Sequence, residues 1–182
     1  MSTIDRNREM WKVLLFGMLT CGIYTIWWYW KLGDDLNKII DGRDGRKTMN
    51  YLLAMLLGIV TCGVYSYVWF HQMSERVGNE LRHRGFAEDF GAREYWIWFG
   101  GPTIALTVLS MPFSFAPLFM MDYIVATGFL PPAYWVIYSL FMMVALGVTV
   151  LMYVYTHKLC VAMNKIANAD LNMHMPTNRF TN

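Results

Sequence analysis

Charged residues are scarce in this chain. Asp, Glu, Lys and Arg make up only 15% of its 182 residues, against about a quarter in soluble domains, whereas 56% are hydrophobic. Asp122 is the one charged residue between Glu94 and Lys158. The uncharged stretches on either side of Asp122 are each long enough to cross a ~30 Å hydrocarbon core as a helix. The composition therefore argues against an ordinary soluble domain and predicts two membrane helices there.

Cysteine and basic clusters are also sparse. Cys21 and Cys62 lie in apolar segments and Cys160 lies near a membrane boundary, so their spacing fits neither a disulfide framework nor a zinc site. A net charge of +2 without a basic cluster excludes a phosphate-tracking surface, and we expect no nucleic-acid partner. No small-residue cleavage site follows the first apolar run, so we expect that run to remain as an anchor.

Catalytic signatures are missing as well. The chain contains no HExxH, GxSxG or Walker pattern. None of the candidate bases has a Cys, Asp or Glu at a spacing typical of a metal or catalytic site. Those bases are His71, His83, His157 and His174. We therefore expect a protein that is not an enzyme and that carries no metal or cofactor.

What the sequence does contain is an internal repeat. LFGMLTCGIYTIWWYW, residues 15–30, recurs 41 residues later as LLGIVTCGVYSYVWFH, residues 56–71. After each copy the apolar residues thin to one helical stripe, as in an amphipathic helix at the membrane interface. HKLCVAMNKIA, residues 157–167, repeats the first of these exits, WKLGDDLNKII, residues 30–40, more loosely.

These patterns predict an all-α integral membrane protein. It has four hydrophobic helical segments, and amphipathic membrane-exit helices follow the first, second and fourth. Residues 1–94 form a two-unit repeat region, residues 95–167 a helical membrane hairpin with its exit helix, and residues 168–182 a polar tail. The four apolar segments are residues 13–30, 54–71, 95–121 and 133–156.

Small residues recur at every fourth position in both repeats, a pattern that lets membrane helices approach closely. We interpret them as candidate helix-packing positions. They are Gly17, Cys21 and Thr25 in the first copy, and Gly58, Cys62 and Ser66 in the second. A different interpretation makes Gly22 and Gly63 candidate helix breaks at the tips of two re-entrant hairpins.

The basic residues indicate an orientation. All fifteen Lys and Arg lie outside the connection between the third and fourth segments, so the positive-inside rule places that connection outside and both termini in the cytoplasm. The side of residues 31–50 stays open. If the first two segments each cross once, this basic loop lies outside, against the rule; if each re-enters, it lies inside. Four crossings are favoured here because they are the commoner architecture.

The block T-C-G-I-Y-x-x-x-W at Thr20–Trp28, its copy at Thr61–Trp69, and the exit K-L-x-x-x-x-N-K-I at Lys31–Ile39 carry a family resemblance. They resemble an uncharacterised bacterial membrane family, the domain of unknown function designated four-two-three-four. The resemblance covers roughly the first half of the chain. It implies a multi-pass protein of the bacterial cytoplasmic membrane, and it brings no activity, cofactor or catalytic residue.

Function is the least determined property at this point. We expect a non-enzymatic membrane protein, a self-associating structural or partner-binding module with the bilayer and a homo-oligomer or membrane-protein partner as its contacts. The alternative is an oligomeric channel or small transporter with a pore between subunits. Asp122 is a speculative functional acid, because an ionisable group at depth in a membrane is costly; a loop near the outer interface is the simpler location for it.

Overall fold

The fold is helical throughout the part of the chain that the structure, a computed structural model, describes: residues 4–87 and 90–174. These residues divide into two compact units. One comprises Met1–Tyr95 together with Thr156–Asn182, and the other comprises Trp96–Tyr155. In this division Thr156–Asn182, which includes the third exit helix, groups with the repeat region and not with Trp96–Tyr155.

Short helices alternate with longer ones along the first unit. In chain order the helices are α1 (Met10–Leu19), α2 (Ile23–Ile40), α3 (Tyr51–Val60), α4 (Val64–His83), α5 (Ala92–Tyr95), a π-helical turn (Trp96–Gly100), α6 (Gly101–Phe119), α7 (Met121–Thr127) and α8 (Pro132–His174). α8 contributes residues to both units. The fourth apolar segment and the last exit helix are therefore one continuous helix.

The apolar segments 13–30 and 54–71 are not single helices, so the expectation of four spanning segments needs correction. α1 ends at Leu19 and α2 begins at Ile23, and the second copy breaks at the same place. Left-handed backbone causes each break: φ is +49° at Cys21 and +90° at Gly22, with nearly the same values at Cys62 and Gly63. A ten-residue helix is about 15 Å long, half of a ~30 Å hydrocarbon core.

α2 and α4 run side by side in the same direction. Near their beginnings the Tyr29 ring lies 5.0 Å from the Phe70 ring. Further along, Arg76 Nη1 donates to Asn37 Oδ1 at 2.8 Å. Beyond the end of α2, Arg43 Nη2 donates to Glu80 Oε1 at 2.7 Å. Contacts that advance together along both helices mean parallel packing, so the two T-C-G turns lie at the same end of this unit.

The second half of α8 joins this pair as a third core helix. Leu159 and Met163 are fully buried, as are the residues at matching positions of the other two helices. Each trio has the sequence spacing that relates the three exit helices. The trios are Leu32, Met73 and Leu159, and Leu36, Val77 and Met163. The core of the first unit is therefore built by three related helices.

The second unit consists mainly of α6, α7 and the first half of α8. Inside it the Phe113 ring lies 4.7 Å from the Phe141 ring, and the Tyr134 and Tyr138 rings are stacked. In the described part of the chain, two helices are long and apolar enough to cross a membrane, Ala92–Phe119 and Pro132–Leu171. The first covers the third predicted segment, 95–121, except its last two residues, and the second contains the fourth, 133–156.

Candidate membrane-insertion site

Two apolar tips project from the first unit, one at each T-C-G turn. We define the first tip as residues 18–23 and the second as residues 59–64. Leu19 is 71% exposed and Ile23 70%, and in the second tip Ile59 is 71% and Val60 79% exposed. A cluster of exposed aliphatic side chains at a turn is an apolar surface patch whose contact with water is unfavourable.

In the first turn the backbone N–H groups find hydrogen-bond acceptors within the hairpin itself. Thr20 Oγ1 donates to the Phe16 carbonyl at 2.6 Å and accepts the Tyr24 N–H at 2.9 Å. The Gly22 N–H donates to the Gly17 carbonyl at 2.7 Å. Together these bonds give every N–H from residue 20 to residue 24 an acceptor. One threonine hydroxyl thus joins the end of α1 to the start of α2.

The second turn repeats this arrangement. Thr61 Oγ1 donates to the Leu57 carbonyl at 2.8 Å and accepts the Tyr65 N–H at 3.0 Å. The Gly63 N–H donates to the Gly58 carbonyl at 2.6 Å. Unsatisfied backbone groups are the main obstacle to a chain reversal in lipid, since each costs several kcal/mol. Both turns remove that obstacle for their N–H groups.

The candidate packing residues fall into two groups. A Cβ added to Gly17 would lie 2.6 Å from Thr25 Oγ1, and one added to Gly58 would lie 2.5 Å from Ser66 Oγ. These positions therefore pack the two helices of one hairpin against each other. Cys21 and Cys62 are exposed in the turns. The four-residue spacing is consequently not one continuous helix face, because the helix stops before each cysteine.

Aromatic side chains surround the base of the hairpins. Trp11, Trp27 and Trp30 are 54%, 44% and 42% exposed. Such half-exposed indoles are typical of the membrane–water interface. Inside the base, the Tyr51 ring lies 4.8 Å from the Trp69 ring and 5.2 Å from the Tyr29 ring. The two hairpins thus share one aromatic cluster where they leave the body of the unit.

A polar clamp holds the connection between the hairpins. Arg76, which is 5% exposed, donates from Nε to Asp44 Oδ2 at 2.7 Å and from Nη2 to the Arg46 carbonyl at 3.0 Å. Asn37 accepts the Thr48 N–H at 2.8 Å and donates to the Thr48 carbonyl at 2.9 Å. Burial is the largest single effect on Asp44 and raises the pKa of its carboxyl. The hydrogen bonds from Arg76 and from the Arg46 N–H and the nearby Arg76 charge together outweigh it and hold that pKa below its ordinary value of 3.8.

The same clamp recurs where the chain enters the first hairpin. Asn164 of α8 accepts the Arg8 N–H at 2.9 Å and donates to the Arg8 carbonyl at 3.0 Å. Arg8 Nη2 in turn donates to Asp35 Oδ2 at 2.6 Å. Sequence analysis missed these residues as a group. The available signal was the N-K-I match between the exit helices, since Asn37 and Asn164 occupy its matching positions.

The remaining candidates from the sequence are not part of either T-C-G turn. Asp122 is exposed in the first turn of α7. His71 is half-buried and His83 and His157 are exposed, whereas the side chain of His174 lies outside the described residues. Among residues 4–87 and 90–171, no three His, Cys, Asp or Glu side chains are grouped closely enough to hold a metal ion.

Comparison with known proteins bears on the hairpins. Neither the curated proteins nor the solved structures include a match to this chain. A family model does match, over a range that begins at the Arg8 clamp and ends in α4, and so includes both T-C-G turns. The predicted family resemblance is confirmed as a match: residues 8–79 match the family model described as Domain of unknown function (DUF4234).

Proposed function

We propose that this protein is a non-enzymatic integral membrane protein that inserts two half-depth hairpins into one leaflet of the bilayer. One observation carries the proposal: both turns combine exposed apolar side chains with backbone N–H groups that find acceptors within the hairpin. Apolar exposure alone would also suit a protein interface. Backbone pairing within the turn itself is what a chain reversal in hydrocarbon requires.

The hairpin dimensions support insertion into one leaflet. α1 and α3 each have ten residues and so reach about 15 Å. α2 and α4 are parallel, so both turns point the same way and enter the same leaflet. Four helices about 10 Å in diameter each occupy roughly 80 Å², so the hairpins add on the order of 300 Å² to one leaflet alone.

The charge distribution supports entry from the cytoplasm. With re-entrant hairpins, residues 31–50 lie on the same side as both termini, and all fifteen basic residues of the chain are then cytoplasmic. This topology replaces four crossings with two, contributed by α6 and α8. The membrane itself is the bacterial cytoplasmic membrane that the family resemblance implies.

We further propose that the protein is a self-associating structural module. Gly17 and Gly58 are occupied within their own hairpins, so contacts between protomers must use other surfaces. Gly147 of α8 suits that role, because a Cβ added there meets no atom within 4 Å. Its neighbours Met143 and Leu146 are 69% and 65% exposed. Small residues on an apolar helix face allow close helix approach in lipid.

The topology is tested by the sidedness of residue 46. Arg46 is a suitable site because its side chain is 69% exposed and makes only a 3.8 Å ion pair with Glu75. Arg46→Cys is introduced after replacing the three native cysteines by alanine. An impermeant maleimide should leave intact cells unlabelled and should label after lysis. Labelling of intact cells would place the loop outside and refute the hairpins.

Hairpin depth is tested with the native tip cysteines, which are exposed in the structure. In a Cys160→Ala background, Cys21 and Cys62 should resist the impermeant maleimide from both sides of the membrane. Both cysteines should become reactive toward the same reagent once SDS unfolds the protein, because only a thiolate in water reacts with a maleimide. Labelling by the impermeant reagent in opened membranes would place the tips in water or at the surface and overturn insertion.

Self-association is tested by adding bulk at Gly147 and, as a control, at Ser139. Gly147→Leu should reduce the oligomer fraction in nanodiscs or detergent without loss of helicity. Ser139→Leu, elsewhere on α8, controls for added bulk. An unchanged oligomer size for Gly147→Leu, or a monomeric parent protein, would contradict this part of the proposal.

A further inference from the structure

We propose that two grooves at the base of the hairpins bind the phosphate headgroups of anionic lipids. This inference rests on the proposed membrane insertion and names the lipid class that the inserted protein selects. The headgroup grooves, as we call them, lie where the apolar parts of α4 and α8 end, and both have basic residues in their walls.

The first headgroup groove has a volume of about 570 Å³. The 46–49 connection forms one wall with Arg46 and Lys47, and α4 forms the other with His71 and Arg76. Arg76 is committed to Asp44, whereas Arg46 has only its long, solvent-exposed pair with Glu75. Exposed pairs of this kind contribute at most about 1 kcal/mol, so a phosphate can take over Arg46.

The second headgroup groove measures about 470 Å³. Its α8 wall carries His157, Lys158 and Lys165, and the facing wall includes Phe90 and Glu94. Among its described lining residues, the two lysines outnumber the one carboxylate, that of Glu94. A compact ammonium group pairs readily with a phosphate as a point charge.

The two grooves occupy equivalent places in the repeat. His71 and His157 are 86 residues apart, and the same spacing relates Gln72 to Lys158 and relates the two buried aromatics Trp69 and Tyr155. Each groove lies between a core helix and the segment that leads into a preceding short helix. The histidine thus recurs at a matching position, whereas, apart from Arg76 of α4, the basic residues come from the 46–49 connection in the first groove and from α8 in the second.

The depth of the grooves fits a lipid headgroup. His71 directly follows the apolar stretch of α4, and Trp30 of α2 occupies the matching position with an interfacial exposure of 42%. Residues at this level therefore lie at the boundary between hydrocarbon and water. Basic pockets on the cytoplasmic side at this depth are the usual binding sites of anionic headgroups.

The test uses the full-length protein in nanodiscs that contain zwitterionic lipid with 10% anionic phospholipid. Lipid that co-purifies after exchange into detergent is counted by native mass spectrometry. We expect anionic lipid to be enriched over its bulk fraction. Lys47→Gln with Arg46→Gln should lower the affinity for one anionic lipid by roughly fivefold or more per removed charge, as should Lys158→Gln with Lys165→Gln.

A charge-matched control separates a site from general attraction. Arg6→Gln with Lys38→Gln removes two exposed charges outside the grooves and should leave the enrichment within about twofold. Equal losses in the control and groove variants would overturn the proposal, as would a parent protein without enrichment. Displacement of the lipid by millimolar inorganic phosphate would also overturn it in favour of a soluble anion site. Failure of the hairpins themselves would instead appear in the tip-cysteine labelling.

Discussion

The buried ion pair between Arg8 and Asp35 offers the sharpest test of how the first unit is held together. Their side chains are 2% and 1% exposed, and Arg8 Nη2 donates to Asp35 Oδ2 at 2.6 Å. Among the described residues, neither Arg8 Nη1 nor Asp35 Oδ1 has a hydrogen-bond partner, although both atoms are buried. The pair is therefore incompletely satisfied, and burial of both charges is costly.

Removing one partner of the Arg8–Asp35 pair should lower the free energy of unfolding far more than removing both. Asp35→Leu leaves the guanidinium of Arg8 buried without its counter-charge, which we expect to lower the free energy of unfolding by about 3–5 kcal/mol. Arg8→Met with Asp35→Leu replaces the pair with apolar side chains. We expect the double variant to lie within about 1 kcal/mol of the parent or above it, since such replacements of buried pairs are neutral or stabilising.

The assay is urea unfolding in mixed micelles, followed by circular dichroism and completed as a double-mutant cycle. Asp34→Ala serves as the control, because the Asp34 and Lys38 side chains are 53% and 38% exposed and their pair should contribute at most about 1 kcal/mol. A double variant destabilised by the sum of its two single changes would refute the reasoning. It would mean that Arg8 and Asp35 act independently.

Two further predictions concern the clamps, and one concerns the contact between Gly78 and the Phe90 carbonyl. Asn164→Ala removes the side-chain partner of the Arg8 N–H and carbonyl, and it should lower the free energy of unfolding by about 2–4 kcal/mol in the same assay. The control Asn7→Ala, at an exposed position, should lower it by less than about 0.5 kcal/mol. Gly78→Ala should lower the free energy of unfolding by about 1–3 kcal/mol, because the added Cβ would lie 2.8 Å from the Phe90 carbonyl oxygen. An unchanged free energy of unfolding would show that the backbone at Phe90 moves away to accommodate the methyl group. The lowered pKa of Asp44 means that its stabilising contribution is complete above pH 3.8 and is lost as pH falls through the folded-state pKa. The stability difference between the parent and Asp44→Asn should therefore shrink below that pH, and a constant difference would exclude this linkage.

Composition and helical periodicity predicted the helical class and two long apolar helices, because both report on which residues avoid water. The T-C-G blocks and the exit motif predicted the family whose model matches residues 8–79. The same patterns failed at residues 13–30. Spacing of four from Gly17 to Thr25 is equally compatible with a continuous helix and with a hairpin whose arms meet at these two residues. Only the φ angles at Cys21 and Gly22 decide between the two, and no periodicity encodes them.

The clamps could not be predicted for another reason. Asn164 and Arg8 are 156 residues apart, and they meet only because α8 returns to the first unit after the long apolar stretch. The match between the exit helices showed that α8 ends like α2. It did not show that all three exits share one core, which depends on the packing of Leu32, Met73 and Leu159.

The cysteines at the two turns fit the proposed insertion of these tips into lipid. Cys21 and Cys62 adopt φ of +49° and +51°, a conformation that in non-glycine residues favours Asn and Asp. Asp41 adopts it at +47° where α2 ends among polar residues. At an apolar tip an amide or carboxylate would add an unpaired polar group, at a cost of several kcal/mol in hydrocarbon, whereas left-handed strain at one residue costs roughly 1–2 kcal/mol. Cysteine is small and weakly polar, so at this position it has the left-handed backbone strain but adds no strongly polar group to the hydrocarbon.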